Sequence, residues 1–190
     1  MLFDYSLLIS DCWVDNIYLK WDPNTKTYSN NDGVETRVPF SDGSTENFEY
    51  LDPSLELGGS DYFHTLVEYF VQHGGVRNVS IRGMPYDFRR APASANEGRW
   101  LDQMTQLVED TYAANSNTRV TVLSHSMGCL YALWFLNQKS QDRKDNFIEQ
   151  WIPTCMLQDF LILIGPLFSI LFTLYSWSVW RVQHRCEANT

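Results

Sequence analysis

The sequence predicts an α/β fold, in which a partial parallel sheet follows a β-rich excursion near the N-terminus and precedes a C-terminal apolar helix. Two observations predict the sheet. Between residues 60 and 137, segments with helical spacing of apolar residues alternate with short segments rich in β-branched residues, as in sheets covered by helices. At 122–128, a predicted strand runs into a helix through small residues. The 190 residues suffice for one core of ordinary size.

Residues 1–59 form the predicted β-rich region. Clusters of turn-forming residues separate short extended pieces there, of which 16–21 and 35–38 are examples. The turn clusters lie at 22–24, 30–33 and 41–43.

The region 60–152 is predicted to form the α/β core. It begins with an amphipathic helix that carries an i, i+3, i+4, i+7 apolar stripe, made of Phe63, Leu66, Val67, Phe70 and Val71. Gly74 and Gly75 end this helix, and residues 78–81 are predicted as a strand. Further elements follow in order: a helix at 97–114, a β-branched strand at 119–123 and a helix at 127–137.

The tail, 153–190, differs in character. Residues 160–180 include no charged residue, and a helix of this length is long enough to cross a bilayer core of about 30 Å. We predict that this transmembrane helix lies apart from the α/β core, with Arg181 and Arg185 placing Thr190 on the cytosolic side. A buried core helix and an incorrect gene end are the alternatives.

Composition excludes some classes of protein. Lys plus Arg number 14 against 23 Asp plus Glu, a net charge of −9, which argues against nucleic acid as a partner. The four cysteines form no C-x-x-C pair, so a zinc site is not expected. We predict no metal and no cofactor.

The strongest chemical signal is the segment 122–128, with Ser126 at its centre. Ser124, Ser126 and Gly128 occupy the positions of the G-x-S-x-G nucleophile elbow, where a serine on a tight turn exposes its hydroxyl. Ser124 replaces the first glycine. Met127 would offer its backbone N–H to an oxyanion at the start of the helix. The alternative is an ordinary strand-to-helix turn whose serines cap the helix.

The chain resembles the lecithin:cholesterol acyltransferase family, close to its lysosomal phospholipase A2 branch. The resemblance covers residues 11 to about 152 and rests on several stretches in the family's order. They are 11–16, 32–34, 37–39, 49–54, 62–68, 79–82, 85–92, 124–128 and 144–148.

The resemblance implies an α/β-hydrolase fold with a cap and a membrane-binding subdomain. It implies an enzyme that moves an acyl chain from a glycerophospholipid onto a serine and then to water or an alcohol. Ser126 would be the nucleophile and the Met127 amide part of the oxyanion hole. Cys12 would belong to a lid disulfide, and Trp13 to the lid base near lipid. Phospholipid, a lipid acyl acceptor and the membrane surface are the implied partners.

The resemblance also implies a secretory-pathway location, lysosomal or extracellular. Asp87 and Arg89, in the stretch 85–92, are expected to form a structural ion pair. The only N-x-S/T sequon, at Asn78, is expected to be unmodified because a buried strand would hide it.

Several family features have no match in this chain. The family's first strand would precede Met1, and its catalytic acid and histidine would lie downstream of the matching region. His64, His73, His125 and His184 match neither. We therefore expect a truncated chain that is weakly active or inactive as an acyltransferase or phospholipase. The alternative is a non-catalytic, membrane-anchored, lipid-binding remnant.

Overall fold

The structure, a computed structural model, describes residues 17–38, 40–51, 61–94, 99–154 and 171–173. The chain divides between Arg37 and Val38 into two units, which are described separately. The strands are β1 (Lys20–Asp22), β2 (Thr27–Ser29), β3 (Val120–His125), β4 (Ile148–Thr154) and β5 (Leu171–Thr173). The helices are α1 (Glu46–Glu49), α2 (His64–Gln72), α3 (Arg99–Ala114), α4 (Gly128–Asn137) and α5 (Gln141–Phe147).

The first unit contains an antiparallel hairpin of β1 and β2. Its turn is closed by the Lys26 N–H, which donates to the Asp22 carbonyl at 2.8 Å. The Asp22 side chain also accepts from the Asn24 N–H at 2.8 Å, as aspartate commonly does in turns. In the predicted β-rich region, the described residues form this hairpin and the helix α1, and residues 35–38 lie outside any strand.

The second unit contains a parallel sheet with the strand order β4-β3-β5. The central strand, β3, is buried along most of its length and directs alternate side chains to opposite faces. Val120 and Val122 pack with α3 and α4, whereas Leu123 packs with Val67 and Phe70 of α2. Helices therefore cover both faces of this small sheet, which confirms the predicted α/β character.

The larger core cluster is aromatic. The Trp100 and Tyr131 rings are fully buried at an angle of 70°, with centroids 4.9 Å apart. Tyr86 stacks on Tyr131 with centroids 4.1 Å apart, and the Trp100 indole N–H donates to the Pro85 carbonyl at 2.9 Å. These contacts attach the loop that precedes α3 to the helix α4.

The prediction of a strand at 78–81 is wrong. These residues form a turn in which the Val79 and Ser80 N–H groups both donate to the Val76 carbonyl, and a single bridge joins Arg77 to Ile81. Asn78 has a φ of +63°, which no extended strand allows. The β-branched residues that suggested a strand lie instead on a turn of which only Ile81 is buried.

The prediction of a single apolar helix over 160–180, separate from the core, is also wrong. Residues Leu171–Thr173 form β5, which pairs in parallel with Val122–Ser124 of β3. A run that is apolar on all sides fits a fully buried strand as well as a helix, so composition alone does not decide between them. Within the described ranges, no helix has the length and apolarity needed to cross a bilayer. The remaining residues of the run, with Arg181 and Arg185, lie outside those ranges.

Candidate active site

Ser126 lies on the turn between the C-terminal end of β3 and the first residue of α4. Its φ is +52°, in the left-handed region that a residue with a Cβ occupies at a cost of about 1–2 kcal/mol. The Ser126 N–H points to the Thr154 carbonyl at 3.4 Å, and the side chain is half-buried. A strained serine between a strand and a helix is the geometry of a nucleophile elbow.

Met127 is the N-cap residue of α4, with helical φ and ψ of −60° and −22°. Its backbone N–H belongs to the first turn, whose N–H groups have no partner within the helix. The partial positive charge of the helix N-terminus also lies here. Beside a serine nucleophile, such an N–H can stabilise the negative charge of a tetrahedral intermediate.

Ser124, at the position of the first elbow glycine, is fully buried. Its hydroxyl oxygen accepts from the Trp151 indole N–H at 2.8 Å, and its carbonyl accepts from the Thr154 hydroxyl at 2.7 Å. Both partners belong to β4. The serine at this position therefore joins the elbow to the neighbouring strand through its side chain, which glycine could not do.

His125 precedes Ser126, and its ring points toward the segment before α2. Its Nδ1 lies 3.2 Å from the Tyr62 hydroxyl, and both Tyr62 and Phe63 meet the ring edge to face. Burial lowers the pKa of His125, which favours the neutral ring. The Tyr62 N–H donates to the Glu49 carbonyl at 3.0 Å, so α1 supports the residue that contacts the elbow histidine.

The other described histidines have partners elsewhere. The His64 Nδ1 lies 2.8 Å from a Glu49 carboxylate oxygen, and the His73 Nδ1 donates to the Tyr69 carbonyl at 2.7 Å. Within the described ranges, the Nδ1 atoms of His64, His73 and His125 each lie at hydrogen-bond distance from a residue other than Ser126. Those ranges also hold no group of three or more His, Cys, Asp or Glu residues placed to bind a metal.

A buried charge cluster surrounds Glu49, whose side chain is only 5% exposed. The Arg77 guanidinium donates to both carboxylate oxygens, at 2.9 and 3.1 Å, and also pairs with Glu68. Burial alone would raise the pKa of Glu49, but the hydrogen bonds from Arg77 and His64 outweigh it and hold this pKa below its ordinary value. Glu49 is therefore charged at neutral pH.

A second ion cluster lies in the loop before α3. Arg89 binds both oxygens of the Asp87 carboxylate, each at 2.9 Å, and Arg90 adds a contact at 3.2 Å. The Tyr131 hydroxyl of α4 donates to the carbonyls of Asp87 and Arg90. The predicted ion pair between Asp87 and Arg89 is confirmed, and the bonds from the Tyr131 hydroxyl hold this loop against the helix that follows the elbow.

Sequence reasoning did not identify several residues that support the elbow. Tyr62 contacts a histidine 63 residues away in the chain, and Trp151 contacts a serine 27 residues away. Both are aromatic residues with a polar group, which usually finds a partner when buried. That signal predicts a hydrogen bond for each but does not identify the partner.

The strained backbone at Ser126 leads to a stability prediction. Ser126→Gly is expected to be more stable than Ser126→Ala by about 1 kcal/mol, because glycine adopts positive φ without the Cβ penalty. Guanidinium unfolding of the two full-chain variants measures this difference. Gln106, exposed within α3, is the control position, where alanine is expected to be more stable than glycine by about 1 kcal/mol. Alanine equal to or better than glycine at position 126 would contradict the strain.

Comparison with known proteins agrees with this geometry. A family model described as lecithin:cholesterol acyltransferase matches residues 4–156. The chain belongs to the lecithin:cholesterol acyltransferase family. The matched region begins seven residues before residue 11, where the first stretch that resembles the family starts. It ends after β4, so it includes the whole elbow and the C-terminal ends of β3 and β4.

Individual members of the lecithin:cholesterol acyltransferase family are similar to the chain at comparable levels. The "Lysosomal phospholipase A and acyltransferase" proteins of Canis lupus familiaris and Homo sapiens are each 40% identical over 146 residues, which is 76% of this chain and 34% of theirs. The "Phosphatidylcholine-sterol acyltransferase" of Mus musculus is 40% identical over 152 residues, covering 78% of this chain and 33% of the relative. The chain thus spans about a third of the length of these relatives.

Proposed function

We propose that the chain carries the nucleophile of a lipid O-acyltransferase or phospholipase A-type hydrolase that acts on glycerophospholipid. The elbow carries this proposal, because it presents the Ser126 hydroxyl at a strained turn beside the N-terminus of α4. The relatives are named as a phospholipase A and acyltransferase and as a phosphatidylcholine-sterol acyltransferase, which supports the same chemistry.

In the proposed reaction, Ser126 Oγ forms a bond to an ester carbonyl carbon of the phospholipid while a general base takes the hydroxyl proton. The Met127 N–H donates to the oxyanion that develops. The carbonyl then re-forms, the ester C–O bond breaks, and the lysophospholipid leaves with a proton from the acid form of the base. Water or an alcohol attacks the acyl-Ser126 ester in the second half and releases the serine.

The surroundings of the site are also part of the proposal. We propose that 1–59 forms the region next to the lid, with Cys12 in the lid disulfide and Trp13 near lipid, and that 60–152 forms the catalytic core. Both lid residues lie outside the described ranges. An enzyme that acts on bilayer lipid must approach a membrane surface, so we propose that surface as a partner. A secretory-pathway location is proposed from the word lysosomal in the relatives' name.

A fluorophosphonate probe tests the nucleophile. We expect the probe to form an adduct on Ser126 that peptide mass spectrometry identifies, and Ser126→Ala to lose it. The exposed Ser41 provides the matched control, since Ser41→Ala should be labelled like the unchanged chain. Labelling that persists in Ser126→Ala would overturn the proposal, and absence of labelling from the unchanged chain would favour the non-catalytic, lipid-binding alternative.

Deacylation of phosphatidylcholine vesicles gives a second test of the same proposal. Loss of a serine nucleophile costs up to about 10⁶-fold in kcat where the complete machinery is present. Release of fatty acid should therefore depend on Ser126. If the chain binds the vesicles but Ser126→Ala releases as much fatty acid as the unchanged chain, the lipid-binding alternative is favoured.

A further inference from the structure

The turn at 76–81 holds Asn78-Val79-Ser80, the only N-x-S/T sequon in the chain. A buried strand at 78–81 would hide Asn78 from modification. In the structure, however, Asn78 is exposed and the turn lies outside the sheet. Val79, between the two sequon residues, is 40% exposed.

The contacts of the turn are compatible with a sugar on Asn78. The Asn78 side chain accepts from the Thr45 N–H at 2.8 Å through its amide oxygen, whereas an N-linked glycan is attached to the amide nitrogen. The Ser80 hydroxyl accepts from the Val76 N–H at 2.8 Å within the turn. Asparagine tolerates the positive φ of position 78 well. The backbone conformation of the turn therefore does not require that the Asn78 side chain be unmodified.

The position of the turn also separates it from the elbow. The Asn115 side chain, directly after α3, donates to the Val79 carbonyl at 3.1 Å, and β3 begins five residues later at Val120. The turn therefore lies toward the N-terminal end of β3, whereas Ser126 follows its C-terminal end. The five residue steps from Val120 to His125 separate these ends by about 17 Å, at about 3.3 Å per step.

We propose that Asn78 carries an N-linked glycan on the face remote from the Ser126 elbow. The inference rests on the proposed secretory-pathway location, because the modification is made in that compartment. It goes beyond acyl transfer, since it assigns a modified surface that the lipid reaction does not require. A bulky, hydrophilic group at this place would leave the C-terminal edge of the sheet open to lipid.

In the test, an added leader carries the chain into the secretory compartment. The outcome therefore does not depend on whether the chain catalyses the lipid reaction. The full chain, fused behind a cleavable secretory leader, is translated with endoplasmic reticulum microsomes. Lys26→Ser creates a second sequon at Asn24, in the exposed turn of the β1–β2 hairpin, as an internal control. In this variant we expect two glycan-sized gel shifts that endoglycosidase removes, and one shift in the chain with Lys26 retained.

Two further substitutions assign the shift to the sequon. Asn78→Gln in the Lys26→Ser background should leave one shift, and Ser80→Ala should do the same. Ser80→Thr, which keeps a sequon hydroxyl, should retain both shifts. A single shift in the Lys26→Ser variant that persists unchanged in Asn78→Gln shows modification at Asn24 alone, and would overturn the proposal.

Discussion

Replacing Asp87 with alanine is expected to lower the free energy of unfolding by about 3–5 kcal/mol, because the change removes the carboxylate that two buried guanidinium groups share. Arg89 and Arg90 have side chains that are only 6% and 12% exposed, and both bind the Asp87 carboxylate. Removing one side of such a cluster costs more than the pair contributes, since the remaining charges cannot regain their full hydration.

Chemical denaturation of the full chain measures this loss. Asp32→Ala is the matched control, because the Asp32 side chain is 99% exposed and faces Lys20 at 3.5 Å. Exposed pairs of this kind contribute about 0–1 kcal/mol. Equal losses in the two variants would show that the buried Asp87 cluster contributes no more to stability than an exposed ion pair does.

Glu49→Ala is expected to destabilise the chain by about 1.5–3 kcal/mol at neutral pH, because Arg77 and His64 both lose their hydrogen bonds to this buried carboxylate. Glu68→Ala is the control. Its carboxylate pairs with the same Arg77 but is 39% exposed, so a loss of about 0–1 kcal/mol is expected.

The Glu49 prediction includes a dependence on pH. The pKa of Glu49 in the folded chain lies below its ordinary value of 4.5, so the folded state favours the charged carboxylate. Its contribution is fully present above pH 4.5 and is lost as the pH falls through the lower folded pKa. Unfolding curves of the unchanged chain and Glu49→Ala should therefore converge below pH 4.5. A difference that stays constant over that range would contradict the shifted pKa.

The sequence predicted those parts of the fold in which local pattern and burial agree. The helices at 64–72, 99–114 and 128–137 have continuous apolar stripes or runs, and β3 is a β-branched segment with both faces buried. The elbow was predictable for the same reason, because a strand and a helix joined by small residues leave little choice of geometry.

The turn at 76–81 and β5 show where local pattern fails. β-branched residues also suit a turn that is held by side-chain and backbone bonds, and the bond from the Thr45 N–H to Asn78 spans 33 residues. The three residues of β5 form a strand by pairing with β3. That pairing is a property of the assembled core and not of the local sequence. The partners of Tyr62 and Glu49 are equally non-local, so no spacing rule could have identified them.

The contact between Ser124 and Trp151 has a consequence for evolutionary exchange at the elbow. A glycine at position 124 would restore the common first residue of the motif, yet it would deprive the Trp151 indole N–H of its acceptor at 2.8 Å. Glycine is therefore a favourable replacement only when position 151 changes as well. The two sites are therefore expected to be epistatic: each residue determines which substitutions the other tolerates, and glycine at position 124 alone would remove a hydrogen bond that Trp151 now makes.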